Sequence, residues 1–231
     1  MTEPVWLKAY CEEELPPFPG GWKTYPYKIV GHDFPILAPA QPDALLDLPE
    51  VLEANRKDDY MPYWGFLWPT SLDMSKAILQ SRKKPDGDVL ELGTGVGLVG
   101  IAALRAGWPV IFTDYDETSV RLALLNAERN GFAEPRGCLL DWRAPFATEY
   151  KLILGCDLIY ERQTHEPMLT VLQSMLAADG ECWLADPGRH QADHFLKRAK
   201  EEGYKIEHQA IEREPFPSRP EGTTNLWILR K

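Results

Sequence analysis

The stretch DVLELGTGVGLVG, residues 88–100, decides the fold. Residues 88–92 form an apolar run that suits a buried strand, glycines follow at 93, 95, 97 and 100, and the apolar residues after Gly97 take up helical spacing. A strand that passes into a helix through glycines lets a ligand approach the backbone closely. Taken alone, Gly95, Gly97 and Gly100 satisfy GxGxxG, and Asp114 ends the next apolar run, about where a partner for ribose hydroxyls belongs. This much does not separate a nicotinamide dinucleotide from another adenosine cofactor.

Working outward, strands are predicted at 88–92, 109–113, 137–140, 151–156, 181–185, 204–211 and 225–229. Helices are predicted at 97–106, 117–130, 163–177 and 191–202. The alternation predicts an α/β fold, a Rossmann-like seven-stranded, mostly parallel sheet with helices on both faces. Ligands of such sheets bind beyond the carboxyl ends of the strands, here after residues 92, 113, 140, 156 and 185. Upstream, Pro4, Pro16, Pro17, Pro19 and Pro26 with Gly20 and Gly21 oppose regular structure, so residues 1–27 are expected to form a wrapping arm. KIVGHDFPIL at 28–37 suits two short strands turning at Gly31, His32 and Asp33. A polar stretch through Asp58 and Asp59 leads to the aromatic run YMPYWGFLWP at 60–69, then a helix from about 71 to 82 capped by Thr70 or Ser71. The expected division is 1–87 for arm, hairpin and aromatic lid, and 88–231 for the cofactor-binding core.

Composition limits the function. The 231 residues are 44% hydrophobic and 26% charged, which excludes collagen, coiled-coil and disordered chains. With 25 Lys and Arg against 35 Asp and Glu, the net charge of -10 repels phosphate backbones and anionic lipid, so neither nucleic acid nor membrane is an expected partner. The basic trio Arg82, Lys83 and Lys84 reads as a solvated helix end. No apolar run approaches the roughly 20 residues of a membrane span, and residues 1–14 carry acids where a signal peptide carries lysines, so a cytoplasmic protein is expected. Cys11, Cys138, Cys156 and Cys182 show no CxxC spacing and are expected as buried thiols rather than a disulfide or metal framework.

Glu91 places a carboxylate beside the loop, which repels a pyrophosphate and attracts the ammonium of a methionine moiety. With Gly93 the pattern becomes ExGxGxG, which resembles motif I of class I S-adenosylmethionine-dependent methyltransferases. Asp141 and Trp142 follow the third strand, where a carboxylate and an indole could hold an adenine, or the indole could pack as a lid. Asp157 to Tyr160 after the fourth strand reads DxxY. With WGFLWP at 64–69, these motifs resemble the seven-strand protein-lysine methyltransferases of family 16. DPGR at 186–189 is similar to the branch holding electron-transfer flavoprotein β-subunit lysine methyltransferases and bacterial nicotinamide N-methylase-like proteins. The resemblance covers residues 28–231; the arm and the stretch after DPGR depart from it, which leaves the acceptor open.

The resemblance implies S-adenosylmethionine as cofactor, held by Trp68, Glu91, Gly93, Thr94, Gly95, Gly97, Asp114, Asp141, Trp142 and Cys156. It implies Asp157 and Tyr160 as the catalytic pair, Trp64, Tyr160 and Arg189 on the acceptor side, no metal, and a protein partner with an exposed lysine. A lysine of pKa near roughly 10.4 must lose a proton before attack, which favours a partly desolvated aromatic channel. Two other readings stand beside it: an enzyme acting on a small amine or heterocycle, and a cofactor-binding module without catalysis. Asp116 reads as a helix cap or a second ribose partner, His165 as a possible base, and Asp157 alternatively as a helix cap. His190 and His194 read as an exposed helix face rather than a zinc site.

Overall fold

The computed structural model describes residues 3–214, 216 and 219–231. The chain runs β1 (Val5–Leu7), β2 (Trp22–Ile29), β3 (His32–Pro39), α1 (Pro49–Asp58), α2 (Thr70–Gln80), β4 (Val89–Leu92), α3 (Leu98–Arg105) and β5 (Val110–Asp114). It continues α4 (Glu117–Arg129), β6 (Arg136–Leu139), β7 (Tyr150–Cys156), α5 (His165–Met175), β8 (Leu176–Asp186), α6 (His190–Glu201), β9 (Lys205–Glu212) and β10 (Thr223–Arg230). The main sheet has the order β1-β6-β5-β4-β7-β8-β10-β9, and β2 and β3 form a separate hairpin. Strands β6, β5, β4, β7 and β8 are parallel; β10 runs antiparallel to both β8 and β9, and β1 antiparallel to β6. Chain direction across the sheet reverses at β4, so the loops after β4 and β7 open a crevice at the switch point.

All seven expected strands and the four helices that follow residue 88 are present; downstream, β8 starts at Leu176 rather than 181, and the larger differences lie upstream. Instead of only wrapping, the arm adds an eighth strand: Val5, Trp6 and Leu7 are an apolar run between prolines, and an edge strand needs hydrogen bonds on one side alone. The hairpin begins at Trp22, well inside the proline-rich segment, because Pro26 lies opposite Pro35 in a two-stranded unit whose open edges ask no donor of either. Its turn is Val30 and Gly31, both with positive φ, one step before the expected position. Helix α1 occupies the supposed polar stretch; Pro49 starts it, but of its residues only Val51 is buried, so no apolar periodicity announces it.

Alternation along β4 divides the core. Val89 faces a layer with Phe34, Met74, Ile101 and Leu124, while Leu90 faces one with Ile153, Met168, Leu172 and Phe195. Each such side chain contributes roughly 1.5–3 kcal/mol by leaving water. The buried Asn126 of α4 ties the hairpin to the glycine loop: Leu37 N–H donates to its Oδ1 at 2.8 Å, and its Nδ2 donates to the carbonyls of Leu37 and Val96 at 2.9 Å each. Asn126→Leu is expected to destabilise the protein by about 2–4 kcal/mol, because three buried backbone groups lose their partners at once. Urea unfolding measures this, and a loss below about 1 kcal/mol would show that water replaces the amide.

Candidate active site

The loop after β4 is held from below. Thr94 Oγ1 donates to Glu91 Oε2 at 2.6 Å and the Gly100 amide to Oε1 at 2.9 Å, while the Thr94 amide donates to the Thr113 carbonyl at 2.9 Å. A Cβ on Gly100 would overlap Glu91 and the Phe112 ring, and Gly93, at φ +58, leaves only 2.5 Å between its would-be Cβ and Leu158. Those two positions need glycine, one for close approach and one also for its left-handed backbone. Glu91 is 3% exposed and does not line the cleft, so it anchors the loop instead of presenting a carboxylate to a ligand. Thr94 and Gly97 also shape the loop from outside the lining.

Burial pushes the Glu91 carboxyl up to about 8, against the bonds from Thr94 and Gly100. Because the folded state holds this proton more tightly, the stability Glu91 contributes is full below its ordinary range near 4.5 and is lost as pH rises through 8. The melting temperature is therefore expected to fall from about pH 5 to 8 and to level off above, and Glu91→Gln to flatten that fall in a pH-dependent melting series. An equal slope in both proteins would place the titration elsewhere.

A cleft of about 390 Å³ opens over the carboxyl ends of β4, β5 and β7, within the range of small-ligand sites. Gly93, Gly95, Asp114, Leu140, Asp141, Trp142 and Cys156 line its inner part. Asp114 accepts from the Ser119 hydroxyl at 2.7 Å, the Gly95 amide at 3.3 Å and the Asp116 amide at 3.2 Å, and burial raises its carboxyl to about 6. Asp116 is the cap of α4, accepting from the amides of Thr118 at 2.7 Å and Ser119 at 3.3 Å. The Tyr60 hydroxyl donates to Asp116, and Trp64 Nε1 donates to that hydroxyl at 3.4 Å, so the aromatic segment is fastened to the β5 end. Asp141 is gripped by Arg143, which also reaches Asp58 on α1 at 2.9 Å; its carboxyl lies below the usual range because of the Arg143 bonds.

The outer part is aromatic. Tyr63 meets Trp68 and Tyr160 edge-on, with ring centres 6.2 and 6.1 Å apart, and Trp68 is 37% exposed at the mouth. Trp64 is buried, with its backbone 3.5 Å from the would-be Cβ of Gly95 and its ring against Phe18 of the arm. The two tryptophans thus exchange their expected positions: Trp64 backs the glycine loop and Trp68 stands at the entrance, because the short turn at Tyr63–Gly65 folds the first of them inward. Asp157 is 5% exposed and adopts φ +60; it lies in the cleft wall and caps no helix, since Thr164 precedes α5. Arg189 stands behind it, outside the lining, donating to Asp157 and, at 3.4 Å, to Asp186. Its charge is thus met within the protein rather than offered to a substrate.

The structure therefore gathers Trp64, Trp68, Gly93, Gly95, Asp114, Asp141, Trp142, Cys156, Asp157 and Tyr160 around one cleft. His165 is not among them: it is buried, its Nε2 is 3.3 Å from the Ile159 carbonyl and its ring lies on Phe195. His190 and His194 lie side by side on α6, with Arg162 against His194. Cys138 and Cys182 are buried, whereas Cys11 is exposed on the arm. Residues absent from the expected site include Asp58, Asp59, Met61, Tyr63, Tyr115, Arg143 and Glu161 in the lining, with Tyr60 behind them. The aromatic run at 60–69 already contained part of this signal.

This strand order, with a glycine loop ending β4 and an acid ending β5, defines the Rossmann-like fold of class I methyltransferases. A family described as lysine methyltransferase matches residues 64–202, more than half of the chain, and the protein belongs to that family, whose enzymes use S-adenosylmethionine. The chain is 31% identical over 128 residues to EEF1A lysine methyltransferase 3 of Mus musculus, covering 52% of this chain and 54% of that protein. It is 32% identical over 126 residues to protein N-lysine methyltransferase METTL21A of Xenopus tropicalis, covering 50% and 56%. It spans about half the length of the curated relatives it matches. The solved structure of ribosomal protein L11 methylase from Lactobacillus delbrueckii subsp. bulgaricus shares the fold, with a TM-score of 0.54 and 24% identity over 70% of this chain and 78% of that one. Among the described residues, no helix is long and apolar enough to cross a membrane.

Proposed function

We propose that the protein transfers a methyl group from S-adenosylmethionine to lysine side chains of a protein partner. The observation that carries this is the charge of the cleft: Asp58, Asp59, Asp114, Asp141, Asp157 and Glu161 line it, against one guanidinium, Arg143, already bonded to Asp58 and Asp141. Such a lining favours a sulfonium and an amine over a pyrophosphate. The bound cofactor supplies an activated methyl group open to in-line displacement.

The chain's own residues hold and align. Asp114 would accept from the ribose hydroxyls, the backbone at Gly93 and Gly95 would hold the methionine part, and Trp142 with Tyr115 would hold the adenine. Tyr63, Trp68 and Tyr160 confine the incoming alkyl chain, exclude water and so favour the neutral amine, while Asp157 orients it. Of residues 1–87, the segment from Asp58 to Trp68 supplies the acceptor-facing rim of the cleft, while the arm, hairpin and α2 pack onto the core of 88–231. The exposed mouth, with Trp68 and Tyr115 open to solvent, suits a side chain projecting from a larger partner better than a fully enclosed small molecule. Four free thiols suit a cytoplasmic setting.

The test is transfer of labelled methyl from S-adenosylmethionine into a cell lysate, with protein and small-molecule fractions counted separately and Asp157→Ala as control. Label in a discrete protein band, lost in the variant, supports the proposal. Label confined to small molecules would replace it with the small-amine enzyme, and no label in either fraction with the binding module.

A further inference from the structure

We propose that Arg189 is a positioning residue that clamps the Asp157–Tyr160 turn to the loop after β8, acting on the acceptor only through those two side chains. The inference rests on the methyltransferase reading of the cleft. Arg189 Nη1 donates to Asp157 Oδ1 and reaches Asp186 Oδ2 at 3.4 Å, while its guanidinium carbon lies 5.7 Å from the centre of the Tyr160 ring. Its own backbone is fixed in turn, because the amides of Gly188 and Arg189 donate to Asp186 Oδ1 at 2.6 and 2.7 Å. One side chain therefore touches an acid and a ring of the turn and an acid from the neighbouring strand.

Two features of the turn require such a clamp. Asp157 holds φ +60, a left-handed conformation that costs a non-glycine residue of order 1 kcal/mol or more unless its surroundings enforce it. Its amide donates to the Ala185 carbonyl at 2.9 Å, so the end of β8 fixes the backbone and Arg189 fixes the side chain. Asp157 and Asp186 are also 5% and 0% exposed, two carboxylates that share a single guanidinium. Among the described residues, the other groups interacting with Asp157 are the Thr70 hydroxyl from α2 and the Cys156 thiol, neither of which supplies positive charge. Tyr160 faces Tyr63, Glu161 and, farther off, Asp114. Without the guanidinium, two carboxylates remain in a poorly solvated place, and Asp157 takes up a proton at a higher pH.

Arg189→Met, Arg189→Lys and the double variant Asp157→Asn with Arg189→Met test this. Calorimetry with S-adenosylhomocysteine, hydrogen exchange over 157–164 and the initial rate of label transfer into lysate protein from pH 6 to 10 are the readouts. Arg189→Met is expected to bind S-adenosylhomocysteine within about threefold of the parent, because Arg189 lies outside the lining. Exchange over 157–164 is expected to rise at least about tenfold. The rate falls about a hundredfold at pH 7, with its acid limb moved upward by roughly one pH unit or more. Arg189→Lys restores the acid limb but less than half of the rate, since an ammonium lacks the planar fork. Adding Asp157→Asn to Arg189→Met costs less than about tenfold more, because the two residues act as one unit.

Unchanged exchange in Arg189→Met, or a rate profile of unchanged shape, would overturn the clamp. Should Arg189→Met fail to fold, Arg189→Lys decides: exchange over 157–164 raised with the acid limb kept at the parent's position supports the clamp, and exchange equal to the parent's overturns it. Exchange is read without any acceptor. A looser turn in Arg189→Met alongside a parent protein that transfers no methyl group would sink the functional reading while leaving the clamp standing.

Discussion

Arg219→Met is expected to lower the unfolding free energy by about 3–5 kcal/mol, and the melting temperature by about 10 °C. The reason is Asp73, wholly buried on α2. Its Oδ1 accepts from the Glu214 amide at 2.7 Å and Arg219 at 3.1 Å, and its Oδ2 from Thr224 and Arg219 at 2.5 Å each. Arg219 also donates to the Pro69 carbonyl at 3.2 Å, so this side chain is fastened to the residue after Trp68 as well. Removing the guanidinium leaves a buried carboxylate without a counter-ion. Combining Arg219→Met with Asp73→Leu is expected to recover more than half of the loss, because it removes the stranded charge as well. Urea unfolding of the three variants checks this, and a single-variant loss under 1 kcal/mol would mean that water screens the pair.

Asp114→Asn is expected to weaken S-adenosylmethionine binding about a hundredfold while leaving the melting temperature within a few degrees. Two hydrogen bonds to a charged acceptor, each contributing roughly 1.5–3 kcal/mol, lose their ionic character, whereas an amide oxygen still accepts from Ser119 and Gly95. The parent protein carries a pH signature of the same group. With the carboxyl at about 6, affinity is expected to drop about tenfold for each pH unit below 6. Stability of the free protein moves the other way. The raised carboxyl favours the protonated folded state, so its contribution is full below 3.8 and is lost as pH rises through 6. Calorimetric titration from pH 5 to 8 reads the first trend and melting curves the second. A cofactor affinity independent of pH in this range would remove Asp114 from the site.

The strands, helices and cleft after residue 88 were legible because period and punctuation agree there: apolar runs end at glycines or acids, and each motif follows a strand. That rule set Asp157 and Tyr160 at a strand end, and the DxxY resemblance, not the rule, separated a site role from a helix cap. Other features had no local signal. Asp73 and Arg219 lie 146 residues apart, and neither neighbourhood differs from an ordinary solvated helix or loop. Helix α1 buries so little that its pattern is polar on nearly every side. Glu91 was visible as an acid beside the loop, but its direction depended on the Gly100 amide, nine residues later on α3, donating to it. Asn126 could have been found, since it interrupts the apolar face formed by Leu122, Ala123 and Ala127 on the predicted helix, where an amide needs a built set of partners.

The measurement that tests the central claim most directly is tandem mass spectrometry of the protein band labelled in lysate, comparing the parent enzyme with Asp157→Ala. The expected result is methylation of a lysine side-chain nitrogen, present with the parent and absent with the variant. A methyl group on another residue type, or on the same lysine with both proteins, would contradict the assignment of this cleft to lysine methylation.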